Sequence, residues 1–513
     1  GVAVVALGAK LSAVARTCAA RSTMLALLAL AQTESCSDAL PEHAFAYRLS
    51  QVARQSGVTP FHHLHGEKGV ERANADDIDG AAAHFRAAAF FASYSPHEWV
   101  NLGRAHGMQA EQRASWDGEA LRLLREAVAC FDMAHWLAAW PNALSGRKRM
   151  LQHIQENYKL KDACPADDCR LYGTMTQVVQ KSPLDLSIVR LFCTAKNLKV
   201  RVSDDERMRG FASAQTLRLA WLALKVCGVV AMEGAVDPQA ADAAGRAVAA
   251  HFEETKARMR TLMPEILDPS TPLSGKASIQ TAWLDATERS KLRFEVPLPL
   301  EPPYLDEALT SSEPVLSLIK GVLRSGRLEL DSFSYVMSMA GASEQHWHTD
   351  VDPLYKDWRG EDLPPYGVLA MVALNALTKA SGPTEFVLGS HLTSLKNVAR
   401  DELPHVSFAL NQGGAALFDM RLRHRGGANK SPRDRALLVV PYVHEWWQDK
   451  INFKTPQTVG WDQHNTTRAR KLFQRLDAKA WTSKLEALLG EQGVDLDGLR
   501  STFFPHPSTD LYV

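Results

Sequence analysis

The chain has 513 residues, and its 58 basic and 58 acidic side chains give a formal net charge of zero. This length exceeds one ordinary domain and predicts two or three. A composition of 46% hydrophobic and 23% charged residues is typical of a globular protein with a sizeable core. The balanced charge gives no indication of a nucleic-acid or membrane-surface partner and favours a small-molecule or protein substrate.

Residues 1–45 are predicted to be a leader or a disordered N-terminus. Residues 1–33 contain basic side chains but no acid, and 24–31 form a short apolar run. This composition suits a transit peptide or a signal segment, with a frayed start as an equal alternative. The location therefore stays open between the cytoplasm and an organelle. No stretch approaches the roughly 20 apolar residues of a membrane-spanning helix.

The seven cysteines are scattered over the first half of the chain. An odd, scattered set argues against a disulfide framework and fits a reducing compartment. Cys164 and Cys169 are close in sequence, but without a second such pair they are interpreted as ordinary loop thiols. The full set is Cys18, Cys36, Cys130, Cys164, Cys169, Cys193 and Cys227.

Residues 46–160 are predicted to be helical. Small and bulky residues alternate there in a way that resembles the tetratricopeptide pattern, in which small residues let antiparallel helices approach. About one and a half repeats can be traced, and plain amphipathic helices are the alternative. A repeat region of this kind could bind a protein partner. The residues concerned are Ala81, Phe85, Ala88, Trp99, Leu102, Gly103, Ala127, Phe131 and Ala134.

A helical connector is predicted for 161–214, and a mixed domain for 215–455. An apolar run at 226–232 predicts a strand, followed by a turn and an Ala-rich helix to about residue 259. The proline-rich segment 264–303 is interpreted as loops. Short runs with turn signals then predict a β-sandwich or barrel. These runs are 328–339, 368–377, 384–388, 415–420 and 436–443. A helical extension is predicted for 456–513.

His348 and Asp350 stand two residues apart directly after a predicted strand and a Gly-Ala turn. On an extended chain such residues point to the same side, so both can reach one metal ion. Alone the pair is weak evidence, because 18 histidines produce about one His-x-Asp by chance. His346 is a lesser alternative ligand.

His424 and Arg435 supply what the first pair lacks. The strand 415–420 leads to His424, and after a Ser-Pro turn another strand begins at Arg435, which predicts a hairpin with the two side by side. Two histidines and a carboxylate leave three positions on iron open. A guanidinium suits a carboxylate of a bound cosubstrate, with Arg433 as the rival anchor.

Taken together, these motifs resemble the phytanoyl-CoA dioxygenase family over residues 225–453. The family's usual Pro-Gly-Ser-His has Leu388 in place of the proline. The matching stretches are Gly228-Val229-Val230, Gly234-Ala235-Val236-Asp237-Pro238, Gln345-x-Trp347-His348-x-Asp350, Gly382-Pro383-Thr384-Glu385-Phe386-Val387, Gly389-Ser390-His391, and His424-Arg425-Gly426-Gly427-Ala428-Asn429 with Arg435.

The resemblance implies an α+β multidomain protein. Its C-terminal domain would be a double-stranded β-helix, jelly-roll or cupin-like, with flanking helices, preceded by the tetratricopeptide-like region. It implies His348, Asp350 and His424 as iron(II) ligands and Arg435 as the anchor of the cosubstrate 2-oxoglutarate, with ascorbate as reductant. The expected reaction is hydroxylation of a small molecule with O2, releasing succinate and CO2. Asp350 fills the position that related halogenases leave to chloride, which favours hydroxylation.

Three alternatives stay open. The helical half could be a protein-binding scaffold, or it could recruit a protein or peptide substrate to the oxygenase. The β domain could also be a metal-binding barrel of another type. Among further residues, His391 is interpreted as structural or as orienting the ligands. Asn375, Thr384 and Glu385 could line the pocket, and residues 270–320 and 353–367 could form its lid.

Overall fold

The structure is a computed structural model that describes residues 61–113, 115–138, 141–158, 184–271, 286–304, 306–354 and 363–447. The predicted leader at 1–45, the cysteines 164 and 169 and the predicted C-terminal extension at 456–513 lie outside these residues. Within the described ranges, no helix is long and apolar enough to cross a membrane.

Helices dominate the described residues between 61 and 158. Its described helices are α1 (Phe61–Asn74), α2 (Ile78–Phe91), α3 (Pro96–Glu111), α4 (Gly118–Ala138) and α5 (Pro141–Tyr158). Consecutive helices pack against each other. The small residues Ala81, Ala88 and Ala127 are fully buried, and the buried Phe131 ring lies against Gly103 and Gly146 of the neighbouring helices. The tetratricopeptide character of this region stays a prediction.

The next segment joins the helical region to the β domain. It contains α6 (Leu186–Phe192), α7 (Ala195–Leu198), β1 (Lys199–Arg201), α8 (Asp204–Arg209), α9 (Ala214–Leu222) and a π-helical turn (Ala223–Cys227). Cys193 and Cys227 form a disulfide between positions 34 residues apart. The prediction that the cysteines stay unpaired is therefore wrong for this pair. Sequence spacing could not show that the end of α6 lies beside the π-helical turn.

Nine of the described strands form one large, mostly antiparallel sheet, in the order β1-β2-β10-β7-β12-β6-β4-β3, with β5 also paired to β12. A smaller sheet has the order β11-β8-β9. The strands are β2 (Val229–Glu233), β3 (Thr287–Ser290), β4 (Arg293–Pro297), β5 (Leu328–Leu330), β6 (Ser334–Ser338), β7 (Gly367–Ala373), β8 (Thr384–Val387), β9 (His405–Ser407), β10 (Ala415–Asp419), β11 (His424–Gly426) and β12 (Arg435–His444).

The remaining helices flank the β domain. The longest, α10 (Pro238–Leu262), ends the strand-turn-helix order predicted from residue 226 and packs Phe252 against Phe294 and Tyr335 of the large sheet. Two others are α11 (Glu307–Thr310) and α12 (Glu313–Leu323), and short 3-10 turns lie at Pro264–Leu267, Lys379–Ser381, Thr393–Leu395 and Arg400–Glu402. The α+β prediction is confirmed, and a larger sheet facing a smaller one is consistent with a double-stranded β-helix.

Two expectations about the strands are wrong. The segment 264–303, expected to be loops, contains β3 and β4. The polar and apolar residues of β4 do alternate. Arg293 and Glu295 line the cavity on one face of the strand, whereas Phe294 and Val296 lie in the hydrophobic core on the other. The charged residues therefore made this segment resemble a loop. The run 328–339 is two strands, β5 and β6, which pair with different parts of β12.

The predicted hairpin between His424 and Arg435 is also wrong. β11 pairs with β8 in the small sheet, whereas β12 lies between β6 and β7 in the large one. Residues 427–434 therefore cross from one sheet to the other. Asn429 braces this crossover, since its side-chain amide donates to the carbonyls of Ser338, Met339 and Arg433. His424 and Arg435 consequently reach one cavity from opposite sheets.

Candidate metal centre and anion cavity

His348, Asp350 and His424 come together at the smaller sheet. His348 and His424 exchange both backbone hydrogen bonds, at 3.0 and 2.9 Å, so their side chains point to the same face. One potential ligand atom from each of the three residues lies within 4.8 Å of the others. The Nε2 atom of His424 is 3.6 Å from a carboxylate oxygen of Asp350. This set of two imidazoles and one carboxylate fits an iron(II) ion with open positions.

Backbone carbonyls fix the orientation of both imidazole rings. Nδ1 of His348 lies 2.9 Å from the carbonyl of His346, and Nδ1 of His424 lies 3.0 Å from that of Leu422. Because a carbonyl only accepts, each Nδ1 carries the proton and each Nε2 keeps its lone pair. Burial, aided by His424, lowers the pKa of His348 to about 4, so this ring is neutral near pH 7. The His348 ring is therefore in the form that binds metal, and the carbonyl of Leu422 leaves Nε2 of His424 as its ring atom available to a metal.

The three side chains line a cavity of about 350 Å³ between the two sheets. This is near the lower end of the volumes of about 300–1,000 Å³ typical of ligand pockets. The large sheet contributes alternate residues of β12 and β7, and the small sheet contributes β8 and β11. Other lining residues include Val336, Leu369, Met371, Thr384, Met420, Leu437, Val439 and Pro441.

Arg435 enters this cavity from the first position of β12. It is 1% exposed, one Nη donates to the carbonyl of Gly382 at 2.8 Å, and its Nε has no hydrogen-bond partner among the described residues. Gly382 adopts a left-handed conformation, and a Cβ there would lie 2.3 Å from the carbonyl oxygen of Gly427. A glycine is therefore needed for the turn that supports Arg435.

A second buried arginine, Arg293 of β4, lines the same cavity. Its guanidinium donates to the carbonyl of Gly427, to the hydroxyl of Ser338 and to the side chain of Gln345, while its Nε is unpartnered. Ser338 of β6 is the register partner of both Arg293 and Arg435. The two guanidinium groups thus start from one row across three adjacent strands.

This row is strongly cationic. Burial lowers the pKa of Arg293 to about 10, and burial together with the charge of Arg293 lowers the pKa of Arg435 to about 9. Among the described residues, no carboxylate lies within 4 Å of either guanidinium. Buried charges are costly unless they are paired. Two buried guanidinium groups that line one cavity and have no carboxylate partner among the described residues therefore fit an anionic ligand with carboxylate or similar chemistry.

The structure separates the alternative residues from this group. His346 and Arg433 are exposed and do not line the cavity. Thr384 lines it, whereas Asn375 bonds to the backbone of Asp434 and Ala436. His391 does not line this cavity: it lines a separate space of about 30 Å³, and its Nε2 lies 3.3 Å from the carbonyl of Lys225.

The roles of two cavity residues, Arg293 and Gln345, were not predicted from the sequence. Arg293 lies in the segment that was predicted to be loops. The alternating sequence Arg-Phe-Glu-Val is, however, a signal for a strand with one polar face. For Gln345, which belongs to the motif of His348 and Asp350, no role was predicted. Its carbonyl oxygen accepts from the backbone of Gly426 at 2.8 Å and from Arg293 at 3.3 Å. It therefore ties the segment of the metal ligands to the cationic row.

Comparison with known proteins agrees with this geometry. The family model "Phytanoyl-CoA dioxygenase (PhyH)" matches residues 226–437, which is less than half of the chain. The dioxygenase easH of Epichloe festucae var. lolii is 29% identical over 107 residues, covering 20% of this chain and 58% of that protein. The chain thus spans little more than half the length of this curated relative. Residues 226–437 are therefore similar to the phytanoyl-CoA dioxygenase family, and the similarity includes the segment that carries His348, Asp350, His424 and Arg435.

Two solved structures are similar at low identity. The non-haem alpha-ketoglutarate-dependent epimerase SnoN from nogalamycin biosynthesis is 16% identical, with a TM-score of 0.31, covering 48% of this chain and 97% of that one. The non-haem monooxygenase ThoJ, as its nickel complex, is 18% identical, with a TM-score of 0.27, covering 43% and 75%. Scores this low carry no argument about the activity of this chain.

Proposed function

We propose that this protein is an iron(II)- and 2-oxoglutarate-dependent dioxygenase that hydroxylates an organic small molecule, releasing succinate and CO2. The observation that carries the proposal is one cavity that combines a His-Asp-His group with two buried arginines. A metal-binding barrel without a cosubstrate would need the first feature but not the second.

In this proposal His348, Asp350 and His424 hold the metal through two imidazole nitrogens and one carboxylate oxygen. The metal, when bound, supplies the activation of O2 that the side chains of the cavity cannot provide. The carbonyls of His346 and Leu422 hold the two rings in the metal-binding tautomer. They act as positioning groups.

The cationic row is proposed to bind 2-oxoglutarate. This cosubstrate is a dianion, and the row offers two cations, Arg435 and Arg293, each with an unpartnered Nε. Arg435 is assigned as the anchor of the carboxylate remote from the metal. Its guanidinium is held from behind by the carbonyl of Gly382, which sets its direction. Fixed donors of this kind orient a bound carboxylate at two points.

The test is turnover of 2-oxoglutarate by the purified full chain with iron(II), O2 and ascorbate. We expect slow succinate formation without an added substrate, abolished when a chelator removes iron and restored when iron(II) is returned. Titration of the metal-loaded protein with 2-oxoglutarate under argon measures cosubstrate binding separately. If the metal-loaded protein neither binds 2-oxoglutarate nor forms succinate, the proposal is wrong. The alternative that the helical half is a protein-binding scaffold is then favoured.

A further inference from the structure

One side of the cavity is a continuous apolar surface built by three neighbouring strands, β6, β12 and β7. Alternate residues of a strand point to the same face, so each strand directs every second side chain into the cavity. Residues opposite each other on adjacent strands lie side by side. Three such pairs line the cavity and together form the apolar wall: Val336 with Leu437, Val439 with Met371, and Pro441 with Leu369.

The charged side chains around the apolar wall interact within the chain or lie at the surface. Arg289 and Glu295 form an ion pair at 2.6 Å, and the hydroxyl of Ser334 donates to Glu295 at 2.8 Å. The buried Asp331 also has an interaction within the chain. Asp352 is exposed at the rim of the cavity. A charged ligand group against the apolar wall would lose its water without gaining a dedicated opposite charge, which is costly.

The apolar wall meets the smaller sheet at the strands that hold the metal-ligand group. The hydroxyl of Thr384 in β8 donates to the sulfur of Met371 at 3.3 Å. Thr384 pairs with Gly426 of β11, and the same strand begins with His424. Because this contact uses the hydroxyl proton of Thr384, the wall keeps its apolar character at this point. A ligand group that lies against the apolar wall shares one cavity with the metal ligands.

The arginine end of the cavity determines which charges a substrate can carry. Arg293 and Arg435 are buried and line the same space. Two positive charges repel an ammonium group that has lost its water. A carboxylate is attracted to the arginines instead, where it competes with 2-oxoglutarate in the proposed function. An uncharged apolar group avoids both effects and is stabilised by the removal of its surface from water.

We infer that the substrate presents an uncharged apolar portion, aliphatic or alicyclic, to the metal centre, and that the apolar wall selects this portion. The inference rests on the proposed function, because it takes the metal-ligand group as the reacting point and leaves the arginines to 2-oxoglutarate. Val439 and Met371 form the middle pair of the wall. They are therefore assigned as specificity-determining residues.

The first experiment measures binding to the iron-free full chain by ligand-observed NMR and calorimetry. The probes are cyclopentyl, cyclohexyl and cycloheptyl rings, each with a hydroxymethyl, an aminomethyl or a carboxyl group. We expect the neutral alcohols to gain about fourfold in affinity per added methylene, as for burial of a methylene group. The amines should bind at least about tenfold more weakly than the alcohols. The acids should bind through the arginines, so Arg435→Met should weaken the acids and spare the alcohols.

Val439→Thr replaces a methyl group with a hydroxyl at nearly constant volume and interrupts the apolar wall. It should lower the affinity for the alcohols about tenfold, because the ligand has to displace water from the new hydroxyl. Val70→Thr, at an exposed position of α1, is the matched control and should bind every probe as wild type does. The dependence on ring size in wild type tests the wall without any variant, even if Val439→Thr folds poorly.

The second experiment measures succinate formation with iron(II), O2, ascorbate and 2-oxoglutarate. Alcohols should raise it above the background without substrate, and acids should lower it in competition with 2-oxoglutarate. The inference is overturned if the alcohols do not bind, if amines bind as tightly, if ring size has no effect, or if bound alcohols leave succinate formation unchanged. Equal affinity of Val439→Thr and Val70→Thr for the alcohols also overturns it. If the alcohols bind as expected but no succinate forms under any condition, the proposed function is wrong while the apolar site stands.

Discussion

Two pairs of arginines in the protein differ in how their charge is compensated. In the helical region, Arg147 and Arg218 share the carboxylate of Asp132, at 2.6 and 2.8 Å, and Asp132 is fully buried. In the cavity, Arg293 and Arg435 have no such carboxylate among the described residues. The first pair is compensated within the protein, and it joins α4 and α5 to α9.

The difference distinguishes a structural charge from one kept for a ligand. An uncompensated buried ion costs several kcal/mol, so a fold retains it where something else supplies the counter-charge. Asp132 supplies it in the helical region. In the cavity the anion of the proposed function would supply it. The comparison therefore predicts opposite effects of mutation on stability and on ligand binding in the two places.

The largest effect is expected at the metal ligands. In the proposed function the cosubstrate binds both the metal and the cavity arginines, so loss of the metal also weakens cosubstrate binding. We expect His348→Ala or Asp350→Ala to lower iron(II) binding and 2-oxoglutarate turnover by at least about a thousandfold, because two protein ligands remain. Calorimetric iron binding and succinate formation measure this. His346→Ala is the control, since its exposed ring is outside the metal-ligand group and the variant keeps the backbone carbonyl that holds His348; loss of iron there would contradict the assignment.

Asp132→Asn should destabilise the protein by about 3–5 kcal/mol, because the buried Arg218 and the partly exposed Arg147 lose their counter-charge. Denaturant unfolding followed by circular dichroism measures the change. The exposed Asp401→Asn should change stability by less than about 0.5 kcal/mol. The folded fraction of Asp132→Asn should bind iron and 2-oxoglutarate with the same affinity as wild type. Equal stability of the two variants would show that the comparison is wrong for the helical pair.

Arg435→Met should have the reverse pattern. The affinity for 2-oxoglutarate is expected to fall about 100-fold, equivalent to about 3 kcal/mol, through loss of a buried charge-assisted contact. The melting temperature without ligand should stay the same or rise, since an uncompensated charge is replaced by an apolar side chain. Arg433→Met, at the exposed rival position, is the control. A lower melting temperature with unchanged affinity would make Arg435 a structural residue.

How far the sequence predicts this molecule depends on whether the information is local. The metal-ligand group followed from His348 and Asp350 on one extended segment and from His424 after a strand, since local periodicity sets side-chain direction. Pairing between sheets is not local. The hairpin predicted from the spacing of His424 and Arg435 was therefore wrong, although both residues do line one cavity.

The missed residues have the same explanation. Arg293 acts through a register shared with Ser338 and Arg435, which only the folded sheet defines. The disulfide of Cys193 and Cys227 depends in the same way on two segments that meet in space. Patterns that expect an apolar inner face also fail where a strand turns its polar face toward a ligand cavity, as β4 does.

The smallest effect is expected for a buried acid of the helical region. It extends the comparison from buried positive charges to a buried negative one. Glu98 of α3 is 3% exposed, one of its carboxylate oxygens has no hydrogen-bond partner, and burial raises its pKa to about 7. The folded state therefore holds this proton more tightly than the unfolded state. Its stabilising contribution is full below the unfolded pKa of about 4.5 and is lost as pH rises to about 7.

Glu98→Gln keeps a neutral side chain of the same shape at every pH. Between pH 5 and pH 8 we expect wild type to lose about 1–2 kcal/mol of stability relative to this variant, a value reduced for solvent screening. Thermal unfolding of both proteins across this range measures the difference. Glu67→Gln, which changes an exposed carboxyl of α1, should follow wild type. If Glu98→Gln and wild type respond to pH in parallel, the buried acid has a counter-charge after all, and the contrast between the helical region and the cavity is limited to arginine.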